Sequence, residues 1–209
     1  MRGKLGWGVH YDAISSGIFN FKNMTPHPNT FAQAVAKWQS GKGLPANGIL
    51  NATTWREMLN DAAVRAQLAS MILSNKDITL ATVHESRKTD NATARQNIED
   101  TSNRLPASRS SYKTAPGGTV LLDIRLLLSI LELANRFSFA IAELAGGEHS
   151  RGSRHYAGVT MDVNIINGQH VSARHPGFRS FMRTCRGMGA TQVLGPGDPD
   201  HHDHIHCAW

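Results

Sequence analysis

The sequence is poor in cysteine, in aromatic residues and in long apolar runs. It holds two cysteines among 209 residues, Cys185 and Cys207, and 7% of its residues are aromatic. The separation of the two cysteines excludes a Cys-x-x-Cys metal or redox site, and leaves open both a disulfide and two buried thiols. No apolar run reaches the roughly 18 residues of a membrane span. The longest candidate, residues 120–133, contains three charged residues.

Acidic residues are fewer than basic ones, with 16 Asp and Glu against 22 Lys and Arg. The net charge of +6 indicates a polyanionic partner, either nucleic acid or an anionic cell wall. No basic helix with interleaved aromatic residues and no nucleic-acid motif is present, so we expect no nucleic-acid partner. The basic first residues are followed by no apolar segment, so no Sec-type signal peptide is predicted.

Histidine is concentrated towards the end of the chain. Eight of the 11 histidines lie from position 149 onward: His149, His155, His170, His175, His201, His202, His204 and His206. Histidine is a poor core residue, so packing does not explain this concentration. Metal binding or acid–base chemistry explains it better.

The first segment has the pattern of a small helical unit. Apolar residues fall on one helical face over residues 31–39: Phe31, Ala34, Val35 and Trp38. The preceding Pro28-Asn29-Thr30 supplies a helix cap, and glycines and a proline over residues 41–48 predict a turn. A second helix is predicted from Thr53 through Leu73, with Thr54 and Glu57 at capping-box spacing.

The order of residues in this segment resembles the peptidoglycan-binding domain type 1 family. The matching positions are Trp38-Gln39 at the end of a helix, then Gly43-Leu44, Asn47-Gly48 and Thr53-Thr54-Trp55. The resemblance implies that residues 1–75 form a small all-helical module that docks on peptidoglycan. Such docking raises the local concentration of substrate for the rest of the chain.

The remaining chain predicts an α+β domain. Residues 76–117 are polar and indicate a connector and domain entry. Within residues 118–209, amphipathic helices are predicted at 121–136 and 176–188, and strands at 137–144, 159–166, 191–194 and 204–207. This order predicts helices packed on a small, mostly antiparallel sheet.

Two short motifs in this domain carry the chemistry. His155 precedes Asp162 with Gly158 between them, and alternation along the last strand places His204 and His206 on one face. If that strand lies beside residues 159–166, then His155, Asp162 and His206 converge. Two imidazoles and a carboxylate form a catalytic zinc shell with one open position. The nearby His204 is the expected general base, with Asp203 as the alternative.

These motifs resemble the zinc peptidoglycan peptidases of the D-Ala-D-Ala carboxypeptidase and endopeptidase family, over about residues 118–209. Ser153, His155, Gly158 and Asp162 match the first motif, and His206 matches the third ligand. The resemblance implies Zn²⁺ as cofactor and cleavage of peptide bonds in the bacterial cell wall. The expected site consists of metal ligands His155, Asp162 and His206, catalytic His204 and Asp203, and substrate-binding Ser153, Arg154 and Tyr156.

The chain departs from this family in two places. Thr160 stands where the family usually has alanine, and residues 139–145 lack the arginine that grips a substrate carboxylate. Endopeptidase action is therefore at least as well supported as carboxypeptidase action. The alternative is a non-catalytic wall-binding module with a structural zinc. We expect a monomer that acts on the wall as a phage endolysin or a secreted effector, delivered by a holin or secretion system and countered by an immunity protein.

Overall fold

The computed structural model describes residues 5–21 and 24–209. The first four residues, part of the segment examined above for a signal peptide, lie outside this range. The described residues have an α+β fold, and none of their helices is both long and apolar enough to cross a membrane. The helices are α1 Tyr11–Gly17, α2 Pro28–Gly41, α3 Ala52–Asn60, α4 Ala62–Ser74, α5 Ala94–Ser102, α6 Ile124–Ala134 and α7 Phe178–Gly187.

In the part of the chain that the structure describes, eight strands form two sheets. The strands are β1 Ile78–Leu80, β2 Ala107–Ser108, β3 Thr119–Val120, β4 Phe139–Glu143, β5 Thr160–Ile166, β6 Gln169–His170, β7 Gln192–Leu194 and β8 Ile205–Ala208. The main sheet has the order β1-β4-β5-β8-β7, with β6 also paired to β5, and the small sheet consists of β2 and β3. All pairings are antiparallel except that of β1 with β4. The predicted neighbourhood of the last strand and residues 159–166 is therefore confirmed.

The helices of the second half also follow the prediction. Helix α7 buries Phe178, Phe181, Met182 and Cys185, the four residues that the spacing placed on one face. It packs against α6, β7 and β8. Cys185 and Cys207 are both buried and are not joined to each other.

Two helix boundaries in the first half differ from the prediction. The single helix expected from Thr53 through Leu73 is two helices, α3 and α4, because Asp61 has extended backbone angles. The Asp61 side chain accepts hydrogen bonds from the N–H groups of Ala63 and Val64, and so caps α4. Helix α2 begins at Pro28, within the segment 28–30 that was expected to cap it, since proline suits the first helical position, and the cap is His27.

The motif of residues 39–55 is organised by one buried amide. Gln39 is 1% exposed, and its Nε2 donates to Asn47 Oδ1, the Ile49 carbonyl and Thr54 Oγ1. Its Oε1 accepts from the N–H of Gly48 at 2.9 Å. The polar residues of the motif therefore close the turn between α2 and α3.

A steric constraint also requires glycine at position 48. Its φ of +71° lies in the left-handed region, and a Cβ there would fall 2.7 Å from the Ala32 carbonyl oxygen. Only glycine fits this close approach between the turn and α2.

The N-terminal helices pack on the second half of the chain. Helices α1, α3 and α4 all contact α6. Arg65 Nε donates to the Leu122 carbonyl at 2.8 Å, and Glu132 Oε1 accepts from the Ala13 N–H at 2.8 Å. Residues 76–117 contribute β1 to the main sheet, and their helix α5 packs against α4. The division at residues 75 and 117 stays a prediction.

We predict that Gln39→Ala lowers the free energy of unfolding by about 1–3 kcal/mol, because four partners, among them the buried Thr54 hydroxyl, lose a hydrogen bond to the amide. Chemical denaturation of the purified protein measures this change. Gln33→Ala, on an exposed position of the same helix, is the matched control. Equal stability of the two variants would contradict the role of the buried amide.

Candidate metal centre

The first part of the site is a tight turn that delivers His155 to the sheet. Ser153 Oγ accepts from the His155 N–H at 3.3 Å and caps the 3₁₀ turn Arg154–Ala157. Gly158 follows with a φ of +71°, and a Cβ there would lie 2.6 Å from the Leu121 carbonyl oxygen. Glycine is thus required for the chain to turn from His155 into β5.

The second part is the pairing of β5 with β8, which brings two imidazoles to one carboxylate. Asp162 and His206 are directly opposite in the antiparallel register. His206 Nδ1 lies 3.0 Å from Asp162 Oδ1, and His155 Nε2 lies 3.1 Å from Asp162 Oδ2. All three residues are at least nine-tenths buried. The predicted convergence of His155, Asp162 and His206 is present in the structure.

The hydrogen bonds of the two rings leave a nitrogen lone pair on each. His155 Nδ1 lies 2.5 Å from the Leu144 carbonyl, which only accepts, so Nδ1 carries the hydrogen. His206 Nε2 is buried and has no hydrogen-bond partner, and the buried His155 Nε2 has only the Asp162 carboxylate beside it. Buried ring nitrogens with free lone pairs beside a carboxylate suit a zinc ion, because zinc binds imidazole and carboxylate ligands.

The electrostatics keep this carboxylate ionised. Burial alone would raise the pKa of Asp162, but His155 and His206 outweigh it and hold that pKa well below its usual range. Burial likewise opposes protonation of His155, whereas Asp162 raises the pKa of that ring. Asp162 thus places a buried negative charge beside the two rings, and a buried charge needs cationic or hydrogen-bonding partners.

His149 is a further imidazole at this cluster. Its ring stacks on His155 with centroids 3.7 Å apart and planes at 3°. The ligand atoms of His149, His155 and Asp162 lie within 4.8 Å of one another. A metal ion lies in the plane of each imidazole that binds it, because the lone pair lies there. Nearly parallel planes share no such point, whereas the rings of His155 and His206 are inclined at 65°.

The cluster opens into a cleft of about 600 Å³. His204 and His206 both line it, while Ile205 between them is fully buried, as the alternation predicted. His204 Nδ1 lies 2.9 Å from Asp203 Oδ1, and the Asp203 side chain is 64% exposed. His201 also lines the cleft, with its ring 4.9 Å from that of His204.

The three expected substrate-binding residues occupy different positions. Ser153 and Arg154 line the cleft, and Arg154 Nη1 donates to Thr191 Oγ1 at 2.6 Å. Tyr156 is buried, and its hydroxyl accepts from the His149 N–H and donates to the carbonyls of Gly147 and His149. In this structure Tyr156 therefore holds the loop that carries His149.

Sequence reasoning missed several residues of the cleft. Glu85 and Glu143 line it, and the buried His84 bonds to Glu143. His84 and Glu85 belong to the polar segment interpreted as a connector, where a histidine among charged residues resembles any exposed loop.

One curated protein is similar to this chain, the zinc D-Ala-D-Ala carboxypeptidase of Streptomyces albus G. The two are 30% identical over 180 residues, which is 84% of this chain and 59% of the relative. This chain thus spans about three fifths of the length of that relative. No family model matches the sequence.

The ring geometry yields a prediction about metal content. His155→Ala and His206→Ala are expected to weaken zinc binding by more than the roughly 10- to 100-fold that loss of an outer partner causes. His149→Ala is expected to keep zinc at wild-type stoichiometry, because its ring cannot share an ion with the parallel ring of His155. Metal analysis after dialysis against zinc buffers measures both. Loss of zinc in the His149 variant alone would show that His149, rather than His155 and His206, binds the metal.

Proposed function

We propose that this chain is a zinc-dependent peptidoglycan hydrolase that cleaves peptide bonds in the stem peptides or cross-links of the bacterial cell wall. The observation that carries the proposal is the buried His155–Asp162–His206 cluster, in which two imidazoles meet one carboxylate and all three residues line an open cleft. The similarity to a zinc D-Ala-D-Ala carboxypeptidase supports the same chemistry.

In this proposal His155, Asp162 and His206 hold the zinc ion. Zinc, when bound, supplies a Lewis acid that polarises a peptide carbonyl and lowers the pKa of water. His204 serves as the general base and passes the proton to the leaving amine. Asp203 orients His204 by accepting a hydrogen bond from His204 Nδ1. His204 Nε2 is then free to take up and release the transferred proton.

The cleft bears on which peptide bond is cut. Arg154 is the one Arg or Lys among the described residues that line it, and it is bonded to Thr191. A carboxypeptidase needs a cation for the terminal carboxylate, whereas an endopeptidase does not. We therefore keep endopeptidase action in the proposal beside carboxypeptidase action.

The second candidate, a non-catalytic wall-binding module with a structural zinc, is less well supported. A structural zinc site is closed by four protein ligands. The nearest candidate for a fourth ligand is His149, and its ring is parallel to that of His155. The proposal also assigns peptidoglycan docking to the helices of residues 1–75, while delivery as an endolysin or effector stays a prediction.

Incubation with isolated sacculi tests the function. We expect zinc-dependent release of fragments by the wild-type protein, abolished by a chelator and by His206→Ala, with mass spectrometry identifying the bond. Loss of cross-linked dimers would indicate an endopeptidase, and loss of terminal D-Ala a carboxypeptidase. His170→Ala, exposed on β6, is the control. Sacculi that are bound but never cut would overturn the enzyme and leave the binding module.

The assignment of the base has its own test. His204→Ala is expected to lower turnover by about 10²- to 10⁴-fold with zinc content unchanged, because the lost group transfers a proton. Asp203→Asn is expected to have a smaller effect, since an amide oxygen still accepts from His204. Steady-state rates on a soluble wall peptide measure both variants. A larger loss in the Asp203 variant would make Asp203 the base.

A further inference from the structure

A second buried charge network lies beside the metal cluster. The His84 side chain is fully buried, and its Nδ1 lies 2.9 and 2.8 Å from the two carboxylate oxygens of Glu143. Its Nε2 lies 2.8 Å from Asp90 Oδ1. Ionised carboxylates only accept hydrogen bonds, so both ring nitrogens donate and His84 is an imidazolium. The Glu85 N–H also donates to Glu143, at 3.3 Å.

The pKa of His84 agrees with this geometry. Burial alone would lower that pKa, but the hydrogen bonds to Glu143 and Asp90 and their charges raise it to about 9. His84 therefore keeps its positive charge at neutral pH.

The network ends in the cleft through Glu143. Glu143 on β4 is the register partner of Asp162 on β5, and Asp162 is in turn the partner of His206 on β8. Directly opposite residues in antiparallel strands share a face, so the three side chains form one row. Glu143 lines the cleft, and a Cβ on Gly147 would lie 2.9 Å from its carboxyl carbon. The Glu143 carboxylate is thus packed in one position.

The proposed hydrolysis leaves this network without a role. An ionic network is costly to desolvate, and apolar side chains of similar volume would tie the segment to the sheet as well. A fixed carboxylate at the cleft, in contrast, offers what apolar packing does not, a charged hydrogen-bond acceptor for a bound peptide.

We propose that His84 is a positioning residue: clamped between Asp90 and Glu143, it fixes the Glu143 carboxylate in the cleft, where Glu143 accepts an N–H or ammonium group of the wall peptide. This inference rests on the proposed function, because it takes the wall peptide as the ligand. It makes Glu143 a determinant of substrate affinity and His84 the residue that holds it in place.

The test compares His84→Gln, Glu143→Gln and the double variant with the wild-type full chain. Each single variant is expected to raise KM for a soluble disaccharide–peptide fragment about tenfold or more, with kcat changed far less and zinc content unchanged. The double variant replaces the ionic pair with two amides that can bond to each other. We expect the double variant to regain the thermal stability that the single variants lose, while its KM stays raised.

A purely structural role gives a different result. If His84 only ties its segment to the sheet, then KM recovers together with stability in the double variant, and the proposal is overturned. His170→Gln, the same substitution at an exposed position of β6, is the matched control and should change neither quantity.

A binding measurement separates this inference from the proposed function. Calorimetry with the metal-free protein measures affinity for the same fragment without turnover. If the wild-type protein cuts and the single variants keep its KM, the inference fails and the function stands. If the wild-type protein never cuts, the function fails, and weaker fragment binding by His84→Gln still supports the inference. Equal or absent binding in both proteins overturns it.

Discussion

The site depends on one buried carboxylate that serves two imidazoles. Asp162 is 5% exposed, and each of its oxygens faces a different ring, His206 on one side and His155 on the other. A buried charge is strongly unfavourable without partners. The two rings are what make an aspartate tolerable at this place in the core, and a cation held by these three residues would stabilise it further.

The partners of Asp162 come from opposite directions, and the fold has to supply both. The register of β8 on β5 places His206 beside Asp162. A slip of that register by one residue would turn His206 to the other face of the sheet. His155 arrives through the turn at Gly158, where a side chain would collide with the Leu121 backbone. Sheet register and one glycine thus determine whether the three groups meet.

The part of the site that was predicted is the part encoded by local patterns. Alternation in the last strand placed His204 and His206 on one face, and the spacing from His155 to Asp162 indicated a turn into a strand. His84 and Glu143 are 59 residues apart in the chain, and their contact exists only because β1 and β4 are parallel neighbours. No local period reports such a pairing. The break at Asp61 was missed for a related reason, since helical spacing continues on both sides of it.

The missed residues change how the cleft is understood. The peptidase family that the sequence resembles has an arginine near this strand that grips a substrate carboxylate, and residues 139–145 of this chain lack it. In the structure the strand that lacks this arginine ends in Glu143, held in place by the buried charge of His84. The strand therefore presents an acceptor where a donor was expected. A site with fixed acceptors discriminates by leaving them unpaired when the wrong substrate binds. If Glu143 accepts from the wall peptide, as we propose, the cleft recognises N–H groups of the peptide and not only a terminal carboxylate.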